Sequence, residues 1–170
     1  MAASGEQISN GAGMTLKFVK TAADTGGELL EMEATYEPGP GRPPVHFHPR
    51  QSEHFEILEG TMHALIGGQE RELRAGETVE IEAGVQHSMW NEGPQTARTR
   101  WQTRPALRTE DFFDALFRLS RAGGKPGLLR TAVFAREFRD EFRTTSPSQP
   151  VQAVVVAVLA PIGRLLGRRA

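Results

Sequence analysis

The sequence predicts an all-β fold, an antiparallel sandwich or barrel, followed by a C-terminal α-helical extension. Three observations carry this expectation: eight short runs of β character between residues 15 and 103, Gly, Pro and Asp-rich turns between them, and a switch to helical periodicity after Pro105. No helical segment separates the runs, so neighbouring strands must connect through short antiparallel turns.

Residues 1–13 are rich in Gly, Ala, Ser and Asn without periodicity and read as a flexible lead-in. The strand runs are 15–20, 28–36, 53–58, 61–66, 70–73, 78–81, 87–91 and 96–103. Alternation is clearest in the second, where Leu30, Met32, Ala34 and Tyr36 share one face and Glu31, Glu33 and Thr35 the other. That is the pattern of a sheet with one buried and one wet face.

After Pro105 a first helix opens at Thr109, read as its N-cap, with Glu110 and Asp111 in the first turn and a stop at Gly123-Gly124. Phe112, Phe113, Leu116, Phe117 and Leu119 form its apolar face. A second helix is expected over 127–143, with Leu128, Leu129, Val133, Phe134 and Phe138 on one stripe. After the breaker Ser146-Pro147-Ser148-Gln149-Pro150, a third covers 151–166. It is apolar on nearly every side and therefore calls for burial. The expected organisation is a lead-in (1–13), a β-barrel (14–104) and a helical extension (105–170).

The chain has 170 residues, 38% of them hydrophobic and 24% charged, which suits one globular core. It has no cysteine, which excludes disulfides, thiolate metal sites and cysteine nucleophiles. Any metal must then be held by His, Asp or Glu. The N-terminal residues lack the basic start and apolar run of a secretory signal, so a cytoplasmic location is expected. The apolar segment 151–162 is shorter than the roughly 20 residues of a membrane span, and Pro161 interrupts it. No membrane partner is expected.

The net charge of −1 argues against a nucleic-acid partner. It hides a split: residues 1–92 hold 6 basic and 15 acidic residues (net −9), and residues 93–170 hold 14 basic and 6 acidic (net +8). This asymmetry predicts electrostatic docking of the extension onto the barrel, within one chain or between the two chains of a homodimer.

The five histidines carry the chemistry. Residues two apart on a strand point to one face, so His46 and His48 present two imidazoles to one cavity. Glu53 follows a turn begun by Pro49, and His87 lies on another hairpin. Three imidazoles and one carboxylate suit Fe, Mn, Ni, Co, Cu or Zn, with two positions left open on a six-coordinate ion. His54 and His63 have the opposite strand parity and are expected outside this cavity.

These residues resemble a known family. His46-x-His48-x4-Glu53-x6-Gly60 is similar to the first motif of the cupins, and Gly76-x7-Gly84-x2-His87-x3-Asn91 to the second, with 15 residues between Gly60 and Gly76. Two departures fall in turns: Gly39 and Gly41 flank the usual place of the first glycine, and Glu82 replaces the usual proline. The resemblance spans about residues 34–103. It implies a small, single-domain (type 2) cupin: a jelly-roll β-barrel with one divalent transition metal ion held by His46, His48, Glu53 and His87.

Within that family this ligand set serves small dioxygenases as well as isomerases, lyases and polyketide cyclases. The first expectation is therefore a metal-dependent dioxygenase acting on a small organic molecule that chelates the open positions. Glu53 doubles as a proton acceptor. The alternatives are a redox-neutral isomerase or cyclase, and a non-catalytic cupin that binds a small molecule. Tyr36, Phe55, Met89 and Trp101 are expected either to shape an apolar pocket above the metal or to pack as ordinary core.

Overall fold

The computed structural model describes residues 2–39, 41–123 and 127–169. Its strands are β1 (Gln7–Ser9), β2 (Met14–Lys20), β3 (Leu30–Tyr36), β4 (His46–Phe47), β5 (Ser52–Glu59), β6 (Thr61–Ile66), β7 (Gln69–Arg74), β8 (Thr78–Ile81), β9 (His87–Trp90), β10 (Ala97–Arg104) and β11 (Arg143–Thr144). Helices α1 (Thr109–Arg121), α2 (Leu128–Glu137) and α3 (Gln149–Leu165) make the extension.

Two antiparallel sheets form the sandwich. One runs β1-β2-β3-β10-β5-β8 and the other β11-β4-β9-β6-β7. Their inner faces meet in a core that includes Leu16, Phe18, Leu30 and Met32 from the first sheet and Met62, Ala64, Leu73 and Met89 from the second. The register sets the site. In β10, Trp101 lies opposite Phe55 and Thr103 opposite Glu53, while in the other sheet His46 of β4 lies opposite His87 of β9.

The lead-in is more ordered than its composition suggests. Ile8 pairs with Leu16 in β1–β2, and the Asn10 side-chain oxygen accepts the backbone N–H groups of Ala12 (2.8 Å) and Met14 (3.0 Å). The Gly and Asn residues that look like flexible chain are a closed turn at the edge of a sheet.

The extension shares the barrel's core. Phe112, Phe113, Ala115 and Phe117 of α1, and Phe138 beyond α2, belong to the same buried cluster as the strands. Thr109 does not cap α1: Arg108 is the capping position, and the Thr109 hydroxyl accepts from Gln51 Nε2 at 2.8 Å. The Arg108 N–H is met instead by the Glu141 carboxylate at 3.3 Å. Gly124, half of the expected stop, lies outside the described residues, as do Met1 and Ala170 at the ends of the expected segments.

Helix α2 ends at Glu137, short of the expected Arg143. The chain turns at buried Phe138, and Arg143 and Thr144 leave helical geometry to pair with Phe47 and His46. Helix α3 continues through Pro161. It packs on α2 through a small buried cluster of Ala132, Val133 and Ala160, with Val156 and Leu159 against it. The expected burial of α3 is not reached within one chain, since Val154, Val158 and Leu165 are 66%, 55% and 87% exposed. Among the described residues no helix is long and apolar enough to cross a membrane.

Electrostatic docking within one chain is not what holds the extension. Among the described residues, its ion pairs are internal: Arg108 to Asp111 and Glu137, Arg118 to Asp114, and Arg164 to Glu137. The basic residues of β10 pair inside the barrel, Arg98 with Glu33 and Glu59, and Arg100 with Glu56. Aromatic packing and hydrogen bonds join extension to barrel. Gln51 Nε2, for example, donates to the carbonyls of Pro105 (2.8 Å) and Ala106 (3.1 Å).

Candidate metal centre

Short strand β4 carries His46, and His48 follows it. β9 opens with His87, and the second residue of β5 is Glu53. The structure brings the three imidazoles together, with ring centroids 4.4 Å apart for His46 and His87 and 5.2 Å apart for the other two pairs. One nitrogen from each ring lies within 4.8 Å of the others, a spacing able to hold a metal ion.

Backbone carbonyls fix which nitrogen that is. Nδ1 lies 2.9 Å from Pro44 O in His46, 2.5 Å from Glu141 O in His48 and 2.9 Å from Val85 O in His87. A carbonyl oxygen only accepts, so the proton of each neutral ring sits on Nδ1 and the Nε2 lone pair is free. Histidine ligands are oriented this way from their second hydrogen bond.

The free nitrogens face a carboxylate. Glu53 Oε1 lies 3.2 Å from His48 Nε2, and Oε2 lies 2.9 Å from His87 Nε2. Glu53 is 1% exposed. Its Oε1 also accepts the indole N–H of Trp101 at 3.0 Å. His48 Nε2 and Glu53 Oε2 are buried without a hydrogen-bond partner. Lone pairs set against a carboxylate repel unless a proton or a metal cation lies between them. The three imidazole nitrogens could hold a metal ion, and the Glu53 carboxylate lies beside two of them.

The titration of the cluster follows from the same geometry. Burial and the neighbouring charges of His87 and His48 push His46 down to about 4. Burial opposes charge on His48 as well, but the Glu53 carboxylate outweighs it and holds His48 above the ordinary histidine value. Burial alone would raise Glu53. His48 and His87 reverse that and keep it ionised well below the usual carboxylate range.

The expected pocket residues fall into two groups. Phe55 and Trp101 stack with centroids 4.9 Å apart, and Trp101 meets Phe113 edge-on at 5.2 Å. Together with Met89 they belong to the buried core. Trp101 reaches Glu53 directly, and burial with the Glu53 charge raises the Tyr36 phenol against a hydrogen bond with Thr99. His54 and His63 lie apart, beside Glu80 (2.7 Å) and Glu72 (3.9 Å).

Sequence reasoning did not single out two contacts. The Phe142 ring stacks on His46 with centroids 4.6 Å apart, and the Glu141 carbonyl holds His48 from 93 residues away. A cleft of about 520 Å³ lies between the helices, lined by Arg108, Arg118, Glu137 and Arg168 among others, away from the histidines.

Residues 32–101 match the family model described as "Cupin domain". No curated protein matches the chain. Among solved structures, an RmlC-like cupin from Shewanella frigidimarina superposes with a TM-score of 0.53 at 22% identity, covering 62% of this chain and 87% of that one. A predicted oxalate decarboxylase from Thermotoga maritima gives 0.52 at 21% identity, covering 59% and 90%. KdgF from Halomonas sp. gives 0.51 at 16% identity, covering 59% and 86%. These likenesses concern the fold. The match over residues 32–101, the two-sheet sandwich and the histidine cluster between its sheets identify a cupin domain, which a helical extension follows.

Proposed function

We propose that this cupin is a mononuclear metalloprotein in which His46, His48, His87 and Glu53 hold one divalent transition ion, and that it acts as a dioxygenase on a small organic chelator. The observation that supports the metal reading most is the buried, unpartnered pair of His48 Nε2 and Glu53 Oε2 among Nε2 lone pairs. When bound, the ion supplies Lewis acidity and, if redox-active, a route for O₂.

The chain's own residues do the rest. The carbonyls of Pro44, Val85 and Glu141 keep the Nε2 lone pairs aimed inward. Trp101 holds one Glu53 oxygen, which leaves Oε2 as the atom placed to take a proton from substrate. The aromatic wall of Phe55, Trp101 and Phe113 excludes water on that side. The working unit we propose is a homodimer built on the exposed face of α3.

Elemental analysis of protein purified without added metal, paired with His48→Ala, tests the centre. Stoichiometric transition metal in the wild type and its loss in the variant are expected. An empty wild type, or a variant that keeps the metal, overturns the four-ligand proposal. O₂ consumption with candidate enols, catechols and α-hydroxycarbonyl compounds tests the reaction. Turnover without O₂ uptake would assign the site to redox-neutral chemistry.

A further inference from the structure

The family match ends at residue 101, yet two of the contacts that shape the histidine cluster come from beyond it. Glu141 and Phe142 lie in a strap between α2 and α3. The Glu141 carbonyl meets His48 Nδ1 at 2.5 Å. The Phe142 ring lies on His46 at 4.6 Å with an interplanar angle of 28°, and against His48 edge-on at 6.1 Å.

The strap is anchored on three sides. Arg143 and Thr144 extend the second sheet beside Phe47 and His46, and Thr145 donates its N–H to the Val45 carbonyl at 3.1 Å. The Glu141 side chain, 5% exposed, accepts the Arg108 N–H at the start of α1. Phe142 also stacks on Phe112 of α1, with centroids 5.1 Å apart.

We propose that residues 141–145 are a positioning element of the metal centre, so that ion binding and strap docking are one coupled equilibrium. The inference rests on the metal reading above. A docked strap fixes the His48 tautomer and pins the His46 ring, so both Nε2 atoms are set before an ion arrives. By reciprocity an ion that prefers the set geometry must hold the strap down by the same factor. Strap loss then weakens the site without removing a ligand.

The test uses the full chain, with Co²⁺ and Zn²⁺ as probes. Chelator competition should show about 10- to 100-fold weaker binding in Phe142→Ala, the usual cost of losing a partner that orients a ligand. Phe142→Tyr, which keeps the ring, should bind as the wild type does, and the visible spectrum of bound Co²⁺ should broaden only in Phe142→Ala. Hydrogen exchange on the wild type needs no variant: Zn²⁺ should slow exchange at the Thr144 and Thr145 amides about as much as it slows His46. Unchanged affinity in Phe142→Ala, or no Zn²⁺-dependent protection of the strap while His87→Ala abolishes binding, overturns the coupling and leaves the metal centre standing. A wild type that binds neither ion more tightly than His87→Ala overturns both.

Discussion

The indole N–H of Trp101 donates to Glu53 Oε1 across 3.0 Å, with both residues inside the barrel. Thr103, two residues along β10, lies opposite Glu53 itself, and Trp101 opposite Phe55. The central strand of the first sheet thus reaches over to hold the one acidic member of the histidine cluster. Among the described residues, the uncharged donor on that carboxylate comes from a residue that otherwise looks like core aromatic packing.

Trp101→Phe keeps most of that packing and deletes the donor. A hydrogen bond to a buried charged group contributes about 1.5–3 kcal/mol, so the variant should unfold at lower urea with a loss of that order. Metal affinity should fall about tenfold or more, because Glu53 loses its orientation. Urea unfolding of metal-free protein and chelator competition measure the two effects separately. A loss of stability without any loss of affinity would make Trp101 a packing residue alone.

The proton and the metal compete for the same nitrogens. His48 sits above its ordinary value because of Glu53. In the metal-free chain its proton therefore stabilises the fold below about pH 6.5, and that stabilisation is lost as pH rises through the raised value. Metal must displace the proton, so affinity should climb over that same rise. His46, pushed down to about 4, adds a penalty only as pH falls from the ordinary histidine value toward 4. The thermal shift caused by Zn²⁺ should accordingly be larger at about pH 8 than at about pH 6. Glu53→Gln removes the charge that raises His48 and should flatten the difference.

Two glycines separate barrel from extension energetically. Gly60, between β5 and β6, has φ +73°, and an added Cβ would meet Thr96 O at 2.7 Å. Gly60→Ala should cost about 1–3 kcal/mol of barrel stability. Gly163 sits where α3 crosses α2, and an added Cβ there would meet Val133 Cγ2 at 2.8 Å. Gly163→Ala should loosen the C-terminal part of α3 and expose it to protease while metal content stays at the wild-type level, since Gly163 lies at the opposite end of α3 from Gln149 and Gln152, whose side chains donate to the Thr144 carbonyl of the strap. A parallel loss of metal in Gly163→Ala would show that the disturbance spreads along α3 to the strap.

The parts legible in the sequence are those with a local signature. The i, i+2 spacing of His46 and His48 brings both imidazoles to one cluster, with His46 in β4 and His48 just beyond it, and alternation in β3 gives its inner face. Turn residues bracket β6 and β8, whose observed ends coincide with the expected 61–66 and 78–81. What was hidden depends on partners far along the chain. The acceptor on His48 is a backbone carbonyl, which every residue type carries, so Glu141 has no mark to find. Thr109 has the chemistry of a cap but meets Gln51 instead. Phe138 fits the helical stripe and Phe142 falls within the expected 127–143 helix, but tertiary packing takes both out of it. The charge split looked like an attraction between barrel and extension. Part of it is β10, whose arginines answer the glutamates of β3 and β5 within one sheet.

The rest of that split bears on association. Val151, Val154, Val158, Ile162, Leu165 and Leu166 are exposed along and just beyond α3, and the same helix ends beside Arg164, Arg168 and Arg169. Covering such a row is worth about 25 cal/mol per Å² of apolar surface removed from water. A second copy offers an identical row about a twofold axis, and its acidic barrel offers charge that the basic extension does not meet within its own chain. Sedimentation should therefore give a dimer whose dissociation increases with salt, since part of the attraction is screened. Val154→Lys combined with Val158→Lys should yield a monomer with unchanged metal content, because both side chains are exposed whereas His48, His87 and Glu53 are buried. A wild type that sediments as a monomer, or a double variant that still dimerises, would remove α3 as the interface. Pelleting of the wild type with anionic vesicles, abolished by the same two lysines, would assign the row to a lipid surface instead.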